Sequence, residues 1–583
     1  MKISRLLKCP EVYLLMLLAV LGLLYCSGKI IGKNVTLQRG QETIQTTFPL
    51  LENMNQGEVF VVSFDVNSDS PYDIHVIPDD CVQSFVVNRS EIALDGIKGL
   101  CDYNGGFRLG YKRFGGTGKD HFEVRIRNGG GPGGLNVKIV SERTMAYAVL
   151  KYSMYIIFVA LCLCILLRLK IGWIPLVIIV LGIVLRCAFV DALPSPAKYG
   201  HDVDGHVSYV QYIVNNGKIP QSEDCWTCYH PPVYFALMAP IWKTADVLNT
   251  HGDIALQMAS FLLSVAILVM GFLVMRMILY GPALNMATLV WTFWPVLILS
   301  CPRIGNDQLF YLLHIVCLWG GLGYIKNRNG KQLFMAVLAS LLAVWTKSTG
   351  VITVGICALS IVVGYFSPIG SFRLKKMEIA SICLFVLTLA SCGLRFFTGS
   401  EELVNNAHSL NGGLRVGNDL VNFLYIDIRQ LIAAPFTNPW DNELGRQYFL
   451  NYMQKTSLFG EFILLQNPAG RLFAEIANIS FFILVIYGLR GFWKTKMNGF
   501  WLVMVVQLVA FVCALAFLRN QYPFSSSNDF RYIVPSLLSV IPFFAIGITA
   551  VNGSTKWKFF GYLASVVFVV SSVAVMTMVI ANS

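Results

Sequence analysis

Charge is what this chain has least of. Of its 583 residues only 13% are Asp, Glu, Lys or Arg, while 55% are hydrophobic, and the mean hydropathy is +0.60. Soluble domains carry about a quarter charged residues, so the composition is that of a polytopic membrane protein. The formal net charge of +12 does not point to nucleic acid. Lys and Arg gather in short clusters between apolar runs, and no basic patch interleaved with aromatics occurs. A Gly-x-x-x-x-Gly-Lys-Ser/Thr phosphate loop is also missing, which disfavours an ATP-driven pump. Internal repeats are not found and span interiors are nearly free of charge, which tells against a transporter. Many of the fifteen cysteines, such as Cys162, Cys164, Cys357 and Cys383, lie inside apolar runs and read as small buried hydrophobes.

Lys2, Arg5 and Lys8 precede an apolar run at 12–25 that is not followed by a small-x-small cleavage site. Residues 1–27 are therefore expected to be an uncleaved anchor with its basic end in the cytoplasm. Over 28–147 the composition turns soluble. Segments 60–66 and 122–127 alternate apolar and polar at period two, and the glycine cluster 129–134 makes a turn before another strand at 135–140. A small exported β-sandwich of about 110 residues fits this pattern. Cys81 and Cys101 can form a disulfide in an exported compartment. Asn34-Val35-Thr36 and Asn88-Arg89-Ser90 are glycosylation sequons, informative only in a eukaryote.

Apolar segments long enough to span follow near 148–167, 172–190, 254–277, 281–299, 308–325, 332–346, 350–366, 378–397, 472–489, 498–518, 532–550 and 559–580. With the anchor they make about thirteen spans. The division expected is an extra span at 148–171, a membrane core at 172–550 and a C-terminal span at 551–583. Alternation from a cytoplasmic N-terminus places Arg168/Lys170, Arg276, Lys326/Arg328/Lys331, Arg373/Lys375/Lys376, Arg490/Lys494/Lys496 and Lys556/Lys558 all inside. Loops 191–253 and 398–471 and the short connections at 301–307, 346–349 and 519–531 are then exported. The apolar stretch 232–247, interrupted by Lys243 and Asp246, reads as an interfacial helix. The fold class expected is mainly α, a polytopic helical bundle with one exported β domain.

The acid- and histidine-rich stretches share the exported side. Asp202 and Asp204 sit two apart before Gly205-His206 and an amphipathic helix at 207–214. A carboxylate near a low-dielectric boundary can serve as general base, while Asp204 can equally cap the helix. In Cys225-Trp226-Thr227-Cys228-Tyr229-His230, Tyr229 breaks a haem-attachment pattern, and the local ligands are too few for zinc, so a Cys225–Cys228 disulfide is favoured. Asp307 starts a span behind Arg303 and can be a cap. Lys347 divides two short spans, where it can snorkel or meet a phosphate. Arg531 starts a late span, and Arg415, Arg429, Arg446 and Lys455 are further cations in the long loop.

His-Asp-Val-Asp-Gly-His-Val-Ser-Tyr-Val-Gln-Tyr-Ile (201–213), followed by Cys-Trp-Thr-Cys-Tyr-His-Pro-Pro-Val-Tyr-Phe (225–235), resembles the first exported loop of bacterial GT-C glycosyltransferases. These are related to protein O-mannosyltransferases and aminoarabinose transferases. The resemblance covers roughly 172–550, with this loop its most specific part. It implies a catalytic base at Asp202 or Asp204, a second acidic position at Asp307, and His206 and His230 near the site. It also implies Lys347 at the donor phosphate, and Arg531-Tyr532 as the start of a late core span. The anchor, β domain and extra span in front depart from many relatives, and the Trp-Trp-Asp-Tyr-Gly-like signature of oligosaccharyltransferases is absent.

The activity expected is an inverting transfer of a sugar from a polyprenyl-phosphate donor, within the membrane lipid, to a glycan, lipid or protein acceptor. The setting expected is a bacterial inner membrane with the site on its periplasmic face. No nucleotide is needed on the exported side, and the residues admit a divalent metal ion. An O-antigen-type polymerase or ligase, or a transporter of lipid-linked sugars, are the competing classes.

Overall fold

The computed structural model describes residues 10–27, 36–38, 47–49 and 57–582, the last stretch without 68–71, 79, 95–96, 98, 102–105, 109–118, 129–133, 142–144, 194–198, 249–251, 368–374, 409–411 and 551–554. Lys2, Arg5, Lys8, Arg373, the sequon residues Asn34 and Val35, and most of the glycine cluster at 129–134 lie outside the described residues.

The first apolar run forms α1 (Pro10–Ser27), which packs beside α2 (Met145–Arg168) and is joined to it by an Arg168–Glu11 ion pair. Between these helices the described residues form nine strands: β1 (Thr36–Gln38), β2 (Thr47–Pro49), β3 (Val59–Asn67), β4 (Tyr72–Pro78), β5 (Cys81–Val87), β6 (Ser90–Ile92), β7 (Phe107–Arg108), β8 (Lys119–Arg127) and β9 (Gly134–Ser141). They pair as a five-stranded sheet, β1-β3-β8-β5-β6, and a four-stranded sheet, β2-β9-β4-β7. The period-two pattern sends Phe64, Val66, Phe122 and Val124 from one sheet and Ile74 and Val76 from the other into a single apolar core. A Cys81–Cys101 disulfide ties the start of β5 to the segment before β7. In the sequon at 88–90, the Asn88 side chain donates to Asp120 Oδ1 at 2.7 Å and accepts from the His121 backbone at 2.8 Å.

The principal helices of the rest are α3 (Trp173–Ala192), α4 (Val203–Asn216), α5 (Val233–Val247), α6 (Gly252–Ile278), α7 (Gly281–Thr292), α8 (Pro295–Leu299), α9 (Asn306–Asn327), α10 (Gly330–Val344), α11 (Gly350–Tyr365), α12 (Lys376–His408), α13 (Phe449–Phe459), α14 (Pro468–Lys494), α15 (Gly499–Gln521), α16 (Leu537–Thr549) and α17 (Thr555–Ala581). Among the described residues nine helices are long and apolar enough to cross a membrane, against the thirteen segments expected. The difference lies in α1, the segment 281–299, and the helices α10 and α11. These last two have 15 and 16 residues, about 22 and 24 Å at 1.5 Å per residue, short of a hydrocarbon core of about 30 Å.

Segment 281–299 is broken by sequence. Pro295 forces Trp294 into an extended conformation (φ −65°, ψ 120°) and starts a new helix. Carbonyls left open at such a break are costly inside a bilayer. The buried Arg186 of α3 answers this, donating Nη1 to Thr292 O and Gly182 O, each at 3.1 Å, and Nε to Ser264 at 3.3 Å.

Helix α9 runs between two polar clusters. Beyond its C-terminus the buried Arg328 pairs with Glu378 at 3.0 Å and donates to Gly364 O and Tyr365 O, tying α9 to α11 and α12. Its N-terminus carries Asn306 and Asp307 into the candidate site.

Candidate active site

Helix α4 begins one residue beyond Asp202, which takes a left-handed backbone conformation (φ 53°) at the N-cap position and makes no side-chain cap. Asp204 lies in the first turn and is exposed. The capping role weighed for Asp204 is therefore not the one observed, because the helix starts earlier than the apolar pattern at 207–214 suggested. Gly205 is required by close approach: Thr227 Oγ1 donates to its carbonyl at 2.8 Å, and a Cβ there would come within 2.7 Å of the Trp226 ring. The Cys225–Cys228 disulfide closes the short loop that carries these two residues. His206, buried, faces His230 with ring centres 5.5 Å apart, and a Cβ on Gly305 would come within 3.2 Å of its ring.

Four separate parts of the chain meet this loop. The start of α5 docks on the turn after α10, with Val233 N donating to Trp345 O at 3.0 Å. Asn306 donates to Thr346 O at 3.1 Å, which sets the turn level with the start of α9. Asp307 and Lys347 then form an ion pair. Lys347 Nζ lies 4.7 Å from the centre of the Tyr532 ring, and the Arg531 guanidinium sits 5.0 Å from the same ring. Arg531 Nη2 donates to Tyr532 OH at 3.0 Å and lies 4.0 Å from Asp202. The Tyr311 hydroxyl donates to the Arg531 carbonyl, fixing this segment to α9. A small cleft beside these groups is lined by His201, His206, Arg303, Asp307 and Tyr311 among others.

The structure thus brings together Asp202, His206, His230, Asp307, Lys347, Arg531 and Tyr532; Asp204 is exposed, as Asp202 also is. Arg446 lies apart: it is buried and donates to the carbonyls of Gly413 and Pro439 at 2.6 and 2.7 Å, stapling the long loop. Lys455, pushed down to about 8 by burial, donates to Leu444 O at 2.9 Å.

Burial governs the ionisation of the site. It lowers His201 and His230 well below the usual imidazole value and brings His206 to about 4, so all three rings are neutral at neutral pH. Burial also lowers Lys347, against the pull of Asp307.

One functional-site neighbour escaped the sequence reading altogether. Glu461 is buried, with Oε1 2.9 Å from His201 Nδ1 and Oε2 accepting from Tyr452 OH at 2.6 Å. Burial raises its carboxyl above the ordinary value. Its only sequence signal is a lone acid set between apolar runs, Leu458-Phe459-Gly460-Glu461-Phe462-Ile463-Leu464-Leu465. Asp529 and Arg303 join the same corner. Asp529 Oδ2 is 3.8 Å from His201 Nε2 and 3.4 Å from Arg531 Nε, and Arg303 donates to Tyr199 O at 2.7 Å.

No protein-family model and no characterised protein sequence matches the chain. Among solved structures it is similar to the oligosaccharyltransferase of Archaeoglobus fulgidus in its apo form, at 11% identity and a TM-score of 0.41, over 70% of this chain and 56% of that one. A second structure, oligosaccharyltransferase AglB of the same organism with an inhibitory peptide and a dolichol-phosphate, gives 12% identity and a TM-score of 0.41, over 70% and 55%. The chain spans a little over half the length of these proteins. A likeness this loose assigns neither an activity nor a site residue.

Proposed function

We propose that the chain is an inverting glycosyltransferase of GT-C type that moves a sugar from a polyprenyl-phosphate donor to a hydroxyl acceptor. One observation carries the reading. Two cations, Lys347 and Arg531, flank Tyr532 at 4.7 and 5.0 Å, and Arg531 lies 4.0 Å from Asp202 at the same end of the bundle. Paired cations suit a phosphate leaving group, and a carboxylate beside them suits proton removal from the acceptor.

In the reaction proposed, the acceptor oxygen bonds to the anomeric carbon as the bond from that carbon to the lipid phosphate breaks. The acceptor proton passes to Asp202, and the phosphate departs carrying the bonding pair, its charge met by Lys347 and Arg531. Asp202 is preferred to Asp204 because it lies 4.0 Å from Arg531; both carboxylates are exposed. Asp307 holds Lys347 in place. The site is proposed to open on the exported face of a bacterial inner membrane, with the N-terminal β domain on the same side.

The test is to incubate the purified protein with a panel of polyprenyl-phosphate sugars and measure release of lipid phosphate. Release that Asp202→Asn abolishes and Asp204→Asn leaves in place supports the reading. A protein that moves the lipid-linked sugar across vesicles without releasing phosphate is a transporter, and the proposal fails.

A further inference from the structure

We infer that His201, Glu461 and Asp529 form a binding site for a divalent transition-metal ion. The three residues come from the loop before α4, the loop between α13 and α14, and the turn that precedes Phe530, and the atoms they can offer lie within 4.8 Å of one another. Among the described residues this is the one such group. The Asp529 and Glu461 side chains are 1% and 6% exposed.

Two of the atoms point to an occupant. Asp529 Oδ2 makes no hydrogen bond and has Arg531 Nε as an ion-pair neighbour at 3.4 Å, while His201 Nε2 is buried without a hydrogen-bond partner and faces Asp529 Oδ2 across 3.8 Å. That gap is too wide for a direct hydrogen bond. It is close to the spacing of two ligands on one ion, since atoms about 2.1 Å from a tetrahedral centre stand about 3.4 Å apart. A buried imidazole nitrogen left unpaired in such a place is costly unless something bridges it to the carboxylate.

Glu461 completes the design. Its Oε1 accepts a hydrogen bond from His201 Nδ1 at 2.9 Å, and its Oε2 accepts from Tyr452 OH at 2.6 Å. A carboxylate that fixes one imidazole nitrogen turns the lone pair of the other outward, which is how ligating histidines are commonly held. His201 Nε2 and Asp529 Oδ2 are thus the direct ligands, and Glu461 orients the ring and supplies the second negative charge. Solvent or substrate fills the remaining positions.

Two cations stand nearby and must be balanced. Arg531 lies 3.4 Å from Asp529 but has Asp202 at 4.0 Å as a second partner, and Arg303 is turned to Tyr199 O at 2.7 Å. One imidazole with carboxylates selects zinc, manganese or cobalt over magnesium, which prefers oxygen alone. The inference does not rest on the sugar-transfer reading, and its test reads metal rather than activity.

The full-length protein in detergent is stripped with chelator, dialysed and titrated with Co²⁺ and Zn²⁺, with visible absorption and elemental analysis as readouts. One ion per chain is expected. His201→Ala and Asp529→Asn should abolish that binding, Glu461→Gln should weaken it about 10–100-fold, and Asp246→Asn, on the exposed face of α5, should leave it unchanged. No saturable binding to the wild-type chain, or binding that survives both ligand substitutions, overturns the site and leaves the gap to a water or a substrate hydroxyl. Should a variant fail to fold, pulsed EPR of the Mn²⁺-loaded wild type decides. Coupling to one imidazole nitrogen is expected, and its absence rejects the site.

Discussion

His201 Nδ1 and Glu461 Oε1 lie 2.9 Å apart and pin the loop that opens the site to the loop that precedes α14. Neither partner sits in a regular element, so this contact substitutes for secondary structure in holding two loops together. The bond is buried, and Tyr452 supports it from behind.

Removing Glu461 should therefore unsettle both loops. Glu461→Ala strands Tyr452 OH and His201 Nδ1 in a buried place, at about 1–3 kcal/mol for each orphaned group. Glu461→Gln keeps an acceptor for one of them and should cost less. Thermal unfolding of the two variants in detergent checks the order, and an alanine variant as stable as the glutamine one contradicts it.

Lys347 and Asp307 should behave as a coupled pair. Lys347→Ala leaves a partly buried carboxylate without its partner, a change that costs about 3–5 kcal/mol when a buried pair is broken from one side. The side chain of Asp307 is 25% exposed, so the lower end of that range or less is expected. Adding Asp307→Asn should recover much of the loss, because the orphaned charge is then gone. In the proposed reaction Lys347→Ala also raises KM for the polyprenyl-phosphate donor about 10–100-fold, as loss of a charged contact worth about 1.4–2.7 kcal/mol does. A donor KM unchanged in a folded Lys347→Ala protein removes Lys347 from the phosphate site.

Acid should destabilise the protein through its buried histidines. His206 has a folded-state pKa of about 4 against an ordinary 6.5, so on acidification the unfolded chain takes up the proton first. Its contribution is fully present above about 6.5 and is lost as pH falls toward 4, with a slope of about 1.4 kcal/mol per pH unit. His230 is lowered for the same reason and adds to the slope. Unfolding temperature measured from pH 7.5 to 4.5 should drop steeply in the wild type and less in His206→Asn. Parallel curves for the two proteins count against this account.

What could be read from the chain follows what is local. Hydropathy and lysine–arginine alternation delimit the helices, and Asp202, Asp307, Lys347 and Arg531 stand out because charge beside hydrocarbon is rare. Period-two alternation likewise marks β3 and β8. Contacts between distant loops leave no such trace. Glu461 meets His201 only because the long loop folds back over the bundle, and nothing in Gly460-Glu461-Phe462 encodes that path. Pro295 is a signal for the break that the single span expected at 281–299 overlooks, and its buried partner Arg186 has no such signal, since only the packed helices bring Arg186 to Thr292 O.

The Gly205–Thr227 contact offers a last, local test of how the loop holds its acids. A methyl group on Gly205 would overlap Thr227 Cγ2 and crowd the Trp226 ring. Trp226 is 54% exposed and can swing aside, whereas Thr227 is buried and bonded to the Gly205 carbonyl. Gly205→Ala should therefore displace the start of α4, at about 1–3 kcal/mol for forced overpacking. Thr227→Ser removes the obstructing methyl but keeps the hydroxyl, so alone it should cost little. In the double variant it should restore at least half of the lost stability. Unfolding temperatures of the four proteins complete the cycle. If the two substitutions are additive, the glycine is retained for some reason other than this approach of the disulfide loop.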